Sequence, residues 1–211
     1  GHRSGTQLTL DQVVDTLRPS LEMAAIEKVG HNIKYDYIVL ARHGLRMSPL
    51  SFDNMIAEWV IDPSSRNLGL KNLAEVRLGQ SMTHIEELIG KGKNQLTMDM
   101  VPITNVAPYA AMDAEVTLRL REPLENELKK IPHAFKLFSE LEMPLVSVLA
   151  EMEMVGIGLD LDFFSKFSTE LNQRMNTIEK DVFTSVGKIF NLNSTQQLSN
   201  ILFETLRLVP P

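Results

Sequence analysis

Tyr109-Ala110-Ala111-Met112-Asp113 lies inside a helical pattern that opens near Thr104–Asn105 and runs to about Lys130. Tyr109 and Asp113 are four residues apart, so on a helix they share one face, stacked one turn apart. That face continues with Val116 and Leu120, which are apolar. A phenol and a carboxylate therefore stand at the mouth of a stripe that is otherwise buried. On these residues alone two readings stay open. One is an exposed first turn with a solvated acid. The other is a metal-binding carboxylate beside a phenol that orients a water.

Composition bounds the answer without choosing between them. A chain of 211 residues has length for one domain or two small ones. It is 44% hydrophobic and 23% charged, ordinary for a soluble globular protein. It holds no run of 18 apolar residues, and its first residues show no signal-peptide core, so no membrane association is expected. With no cysteine, disulfides and thiolate metal sites are excluded, which fits a cytoplasmic setting. A net charge of −6 argues against a protein that binds by blanket phosphate neutralisation. It leaves room for a local nucleic-acid groove, and a carboxylate site would itself add negative charge.

Working outward from the central helix, Thr9-Leu10-Asp11-Gln12 has the form of a capping box, followed by apolar residues at helical spacing to Leu21. Pro19 is expected to kink or restart that helix. Glu27–Asn32 reads as a short strand ending in a polar turn, and a helix follows from Tyr35 to Gly44. Asp36 then falls at a strand-to-helix junction, where a carboxylate is either a cap or a group exposed for chemistry. Ser51-Phe52-Asp53 reads as the cap of a helix over Asn54–Ile61, and Trp59, the only tryptophan, as core. Short helices are predicted over Leu70–Leu78 and Thr83–Ile89, the second capped by Thr83 with Glu86 three residues on. Gly90-Lys91-Gly92-Lys93-Asn94-Gln95 is a basic loop, either a phosphate contact or a solvated connector; its glycines do not follow a P-loop pattern.

The central helix is expected to kink at Pro123 and to end before Pro132. From Ala134 the pattern turns to long helices, with an interruption at Pro144 and an extended link at Gly156–Asp160. Asp160 or Asp162 then caps a helix whose Phe164, Phe167, Leu171, Met175, Ile178 and Val182 recur every three or four residues. Ser194-Thr195-Gln196-Gln197 repeats the capping logic before a last helix.

Gly30-His31-Asn32-Ile33-Lys34-Tyr35-Asp36, followed about seventy residues later by Tyr109–Asp113, resembles the second and third motifs of the DEDD 3′–5′ exonucleases. The spacing of Tyr109 and Asp113 is that of the subgroup with a tyrosine. Gly90–Thr97 looks like the proofreading domain of bacterial family A DNA polymerases. Glu140–Val146 and Asn193–Leu198 look like the start of the polymerase domain of those enzymes. The resemblance covers essentially the whole chain, in the family's order.

The resemblance implies an α/β, helix-rich fold. It would comprise the C-terminal part of a ribonuclease H-like exonuclease domain over 1–132 and the all-helical start of a polymerase domain, leading into its thumb, over 133–211. Members of the family hydrolyse a 3′-terminal phosphodiester with two divalent ions, Mg²⁺ or Mn²⁺, about 3.5–4 Å apart. Hard cations take oxygen ligands, which explains the carboxylates. By the match, Asp36 and Asp113 would each serve a metal and Tyr109 would hydrogen-bond the attacking water. Asn32 and Tyr35 match positions that contact the frayed strand. Arg66 is either a phosphate contact or a solvated loop arginine. The implied partners are DNA, as a single-stranded 3′ end and as primer-template, and the implied state is a monomer.

One departure matters. The family uses two further carboxylates, from a D-x-E motif on an earlier strand. Before Asp36 the only acids are Asp11, Asp15, Glu22 and Glu27, and none forms that motif. Asp113-Ala114-Glu115 has the letters, but on a helix residues two apart point about 200° apart. The chain is therefore expected to be a piece of a longer polymerase, weak in metal binding and inactive by itself. Two rivals stand beside this reading. A stand-alone exonuclease of the ribonuclease D kind shares the two motifs but gives no reason for Leu137–Asp160. A non-catalytic scaffold or DNA-binding module with a decayed site has no need of Asp36, Tyr109 and Asp113 together.

Overall fold

The computed structural model describes residues 8–209; the first seven residues, where no signal-peptide core is read, and Pro210-Pro211 lie outside it. A first helix, α1 (Leu10–Glu22), opens on the capping box expected at Thr9. The Thr9 N–H donates to Gln12 Oε1 at 2.9 Å and the Gln12 N–H donates to Thr9 Oγ1 at 3.3 Å. The helix runs through Pro19 without restarting. Next, β1 (Lys28–Gly30), α2 (Ile33–Arg42) and β2 (Leu50–Asp53) form a βαβ unit. The two strands are parallel, with Val29 opposite Phe52 and Gly30 opposite Asp53. The strand expected over Glu27–Asn32 is thus shorter, and β2 lies where a cap alone was expected. Its four residues include a polar serine and follow Pro49, too little pattern for periodicity to detect.

Lys28 is buried in β1, yet its ammonium is satisfied by three backbone carbonyls: Met23 at 2.7 Å, Ile26 at 2.6 Å and Ser48 at 2.6 Å. Gly30 is required by a close approach. A Cβ there would meet Ile33 Cβ and Cγ1, each at 2.6 Å, and Ile33 is 1% exposed and cannot swing away. Gly30→Ala is expected to destabilise by about 1–3 kcal/mol through overpacking at the start of α2. A urea titration checks this; an unchanged midpoint would mean that the turn yields freely.

Asp53 caps α3 (Asn54–Ile61), accepting from the N–H groups of Met55 and Ile56. Helices α4 (Leu70–Leu78) and α5 (Ile85–Ile89) follow. The second starts later than expected: His84, not Thr83, holds the cap position, and its N–H donates to Glu87 at 2.7 Å. Trp59 is 44% exposed rather than core. The reason is helix phase. The buried residues of α3 are Asn54, Ala57 and Glu58, and Trp59 is rotated about 100° beyond Glu58.

The long helix α6 (Ile103–Lys129) supplies the spine of the core and continues through both Pro108 and Pro123. Val116, Leu120, Leu124 and Leu128 repeat every four residues and have no exposed surface. Each contributes about 1.5–3 kcal/mol by burial. Around them pack Phe52, Ala57, Leu73 and Ala74. Arg77 of α4 ties this together, bridging the buried Glu58 of α3 at 2.6 Å and Glu127 of α6 at 2.5 Å. Removing Arg77 would leave a buried carboxylate unpaired.

Beyond α6, α7 (Pro132–Leu137) passes through a π-helical stretch, Phe138–Glu142, into α8 (Met143–Val155). The interruption expected at Pro144 takes this form. A π turn loosens the i−4 ladder just where proline has no N–H to give. Phe138, Met143, Val146 and Ala150 are buried in the same core, and the Phe138 ring lies 4.9 Å from that of Phe52. By packing, the described chain therefore divides after Gly156. In the second unit, Asp160 caps α9 (Leu161–Val186), accepting from the Phe163 N–H at 2.9 Å. Gly187 ends that helix in the left-handed region. Residues Phe164, Phe167, Leu171, Met175 and Ile178 are all exposed. A short helix α10 (Thr195–Ser199), capped by Ser194, closes into a second π-helical stretch at Asn200–Thr205.

Candidate functional site

Two elements bring the acids together. β1 ends at Gly30, and the chain turns through Asn32, whose φ of 59° is left-handed, into α2. Asparagine tolerates this conformation better than most residues. The turn is held by the buried Asp53 at the end of β2. Its Oδ2 accepts from the Ile33 N–H at 2.6 Å and its Oδ1 from the Asn32 N–H at 3.3 Å. Asp36 thereby sits in the first turn of α2, where the dipole favours an anion. Opposite it, α6 presents Asp113. Both carboxylates line one cleft of about 400 Å³, together with Gly30, His31, Leu70 and Thr117.

Tyr109 stands one turn before Asp113 on α6, on the same face of the helix. Both border a second hollow of about 370 Å³ with Thr83 and Asn105. Asp113 therefore faces both spaces. Lys71 of α4 reaches the same point. Its Nζ lies 3.3 Å from the Tyr109 hydroxyl and 4.7 Å from the ring centroid, and it also donates to the Thr83 carbonyl.

The other sequence-predicted residues are distributed unevenly. Asn32, in the turn before α2, and Tyr35, in its first turn with Asp36, are both exposed, Tyr35 to 66%. Arg66 is exposed in the loop between α3 and α4 and lines neither hollow. The basic loop at Gly90–Gln95 holds a single 3₁₀ turn, Gly92–Asn94. Sequence reasoning missed His31, Asp53 and Lys71. Asp53 was legible only as a cap, which it is. A signal for Lys71 existed, because a lysine in the first turn of a helix opposes the dipole and needs another reason to be there.

Burial dominates the electrostatics. It raises the Asp36 carboxyl above the ordinary range, and the charge of Asp53 adds to the shift. It also raises Asp113, against the opposing effects of the Lys71 ammonium, the Tyr109 hydroxyl and His31. His31 is lowered by burial, with Asp53, the Leu68 backbone and Asp113 acting the other way, and its Nδ1 has no hydrogen-bond partner.

The raised Asp36 makes a signed prediction. The fold binds its proton more tightly than the unfolded chain does. Stability contributed by this group therefore falls as pH rises from the ordinary carboxylate value through the raised one. Asp36→Asn is expected to raise the melting temperature at pH 7, and the gain should vanish below the ordinary value. The cleft desolvates this carboxyl, yet part of its surface stays open to solvent that screens the effect, so the gain is under about 1 kcal/mol. Melting curves from pH 3 to 8 read it; a gain that persists at low pH would point to another cause.

Among the described residues no group of three or more His, Asp or Glu is placed to hold a metal ion. Asp36 and Asp113 are nevertheless hard oxygen donors in one cleft, the donor type a divalent cation takes. They fit such an ion as part of a ligand set, not the whole of one.

Comparison with known proteins gives a consistent result. A family model described as 3′–5′ exonuclease matches residues 5–129. DNA polymerase I of Chloroflexus aurantiacus is 39% identical over 212 residues, covering 100% of this chain and 22% of that protein. DNA polymerase I of Pseudomonas aeruginosa is 38% identical over 204 residues, covering 96% and 22%. The chain thus spans about a fifth of the length of these curated relatives. In fold it resembles the POL domain of Pol1 from M. smegmatis, solved in complex with DNA primer-template and dNTP. The TM-score is 0.71 and the identity 24%, with 96% of this chain and 32% of that one covered. No described helix is long and apolar enough to cross a membrane.

Proposed function

The chain belongs to the 3′–5′ exonuclease family, and from that premise we propose that it is the proofreading segment of a bacterial DNA polymerase I together with the start of its polymerase domain. The observation that carries this reading is the single cleft lined by both Asp36 and Asp113, with Tyr109 one turn from Asp113 on α6. Asp36 and Asp113 would hold divalent ions, Mg²⁺ or Mn²⁺, completed by carboxylates from outside these residues. When bound, such ions acidify water and offset charge on phosphate oxygens. Tyr109 orients a water through its hydroxyl, and Asn32 and Tyr35 receive the unpaired 3′ strand beside them. Arg66 contacts a phosphate further along that strand.

On this reading 1–132 is the C-terminal part of a ribonuclease H-like domain, and 133–211 opens the polymerase domain and leads into its thumb. The boundary follows function, whereas compact packing carries α7 and α8 with the first unit. The parent acts in DNA replication and repair in the cytoplasm, as a monomer on primer-template DNA. Similarity to DNA polymerases I along the full chain favours this parent over a ribonuclease D-like enzyme. The test is release of 3′ nucleotides from single-stranded DNA with Mg²⁺ or Mn²⁺, by a protein that carries the complete domain. Asp36→Ala and Asp113→Ala should each remove it. Activity indifferent to both would favour the decayed-module reading.

A further inference from the structure

We propose that Lys71 is a positioning residue for the Tyr109–Asp113 pair, holding the phenol in the one orientation that serves the cleft. This rests on the exonuclease reading of that cleft. Lys71 lies in the first turn of α4, where its charge opposes the helix dipole, so the helix itself gains nothing from it. Its partners are all elsewhere. The ammonium donates to the Thr83 carbonyl and to the Tyr109 hydroxyl oxygen, and it lies over the Tyr109 ring. Of the three donors of a lysine, two are used here, on Thr83 and Tyr109. The ammonium thus sits beside the hydroxyl and within cation–π reach of the ring.

The hydroxyl then has one proton to direct. Its oxygen accepts from Lys71, so its proton turns away from the ammonium and is left for Asp113, one helical turn on, or for a water. Without Lys71 the phenol would be free to rotate about its C–O bond and to tilt in the second hollow. Its scaffold is firm: α4 is tied to α3 and α6 by Arg77 through Glu58 and Glu127. A misplacement of the phenol by about 1 Å costs catalysis up to about 10²-fold in well-ordered sites.

Two measurements test the assignment. The first uses the chain as it stands, with ¹³C-labelled tyrosine. Only three tyrosines are present, Tyr35, Tyr37 and Tyr109, and Tyr109→Phe identifies the third signal. Lys71→Met should shift the Tyr109 signal and leave the other two in place. The second is a double-mutant cycle on 3′ nucleotide release by the polymerase that contains the complete domain. Lys71→Met should lower the rate constant about tenfold with little change in KM for DNA, and Lys71→Arg should restore most of it. Lys71→Met with Tyr109→Phe should be no slower than Tyr109→Phe alone, because both remove the same device. Lys71→Gln repeats the cycle should the methionine variant fold poorly, with unchanged polymerisation as the check of folding. An unmoved Tyr109 signal, or losses that simply add, would overturn the role of Lys71 while leaving the exonuclease reading in place. A full rate in Tyr109→Phe would overturn that reading itself, and this role with it.

Discussion

Asp113→Ala in a protein that carries the complete exonuclease domain is expected to cut 3′ nucleotide release by at least about 10²–10³-fold. Polymerisation by the same protein should be unchanged. Asp113 is the one residue that lines both hollows of the site, lies one turn from Tyr109 and feels the Lys71 charge. Alanine removes an oxygen donor for a divalent ion from the cleft. The same electrostatics sets the expectation for the 211 residues alone. Asp36 and Asp113 supply two negative charges against the four that two divalent cations bring. Metal affinity should be weak and hydrolysis slow, because little would acidify a water or offset charge developing on the phosphate. Calorimetric titration with Mn²⁺ reads the first, and release of 3′ nucleotides reads the second. Robust cleavage by the short chain, lost on Asp113→Ala, would show that two carboxylates suffice.

Asp53→Ala is expected to have the largest effect on stability, about 3–5 kcal/mol. The carboxylate is 1% exposed and accepts four backbone N–H groups, from Asn32, Ile33, Met55 and Ile56. Two of these bonds cap α3 and two fix the turn into α2. Loss of a cap alone costs about 0.5–2 kcal/mol, and buried donors left unpaired cost about 1–3 kcal/mol each. The losses overlap because the turn relaxes, so they do not sum. Asp53→Asn keeps an acceptor oxygen and should fall between. Urea titration measures both variants. A second consequence reaches the cleft: the Asn32–Ile33 turn carries Asp36, so Asp53→Asn should lower 3′ nucleotide release although Asp53 does not line the cleft. A variant stable to within about 0.5 kcal/mol would mean that the turn holds without it.

What the sequence determined by itself is what depends on neighbours a few residues away. The capping box at Thr9, the serine cap at Ser194, the helix over Leu70–Leu78 and the shared face of Tyr109 and Asp113 follow from spacing, because a helix repeats locally. The motif order around Asp36 and Asp113 was legible through its resemblance to the exonuclease family. Tertiary structure decided the rest. β2 exists because β1 pairs with it, and four residues with a polar serine among them cannot announce a partner strand twenty residues away. Trp59 is exposed because the packing of α3 on α6 fixed the phase of that helix, which a size argument cannot supply. Asp53 reads as a cap from sequence, and its two bonds to the α2 turn arise only once the strands lie side by side. Lys71 reaches Tyr109 across 38 positions in sequence, from a different helix. Local order is written in the pattern of residues, whereas convergence of charges is set by packing, where burial and distance are the controlling variables.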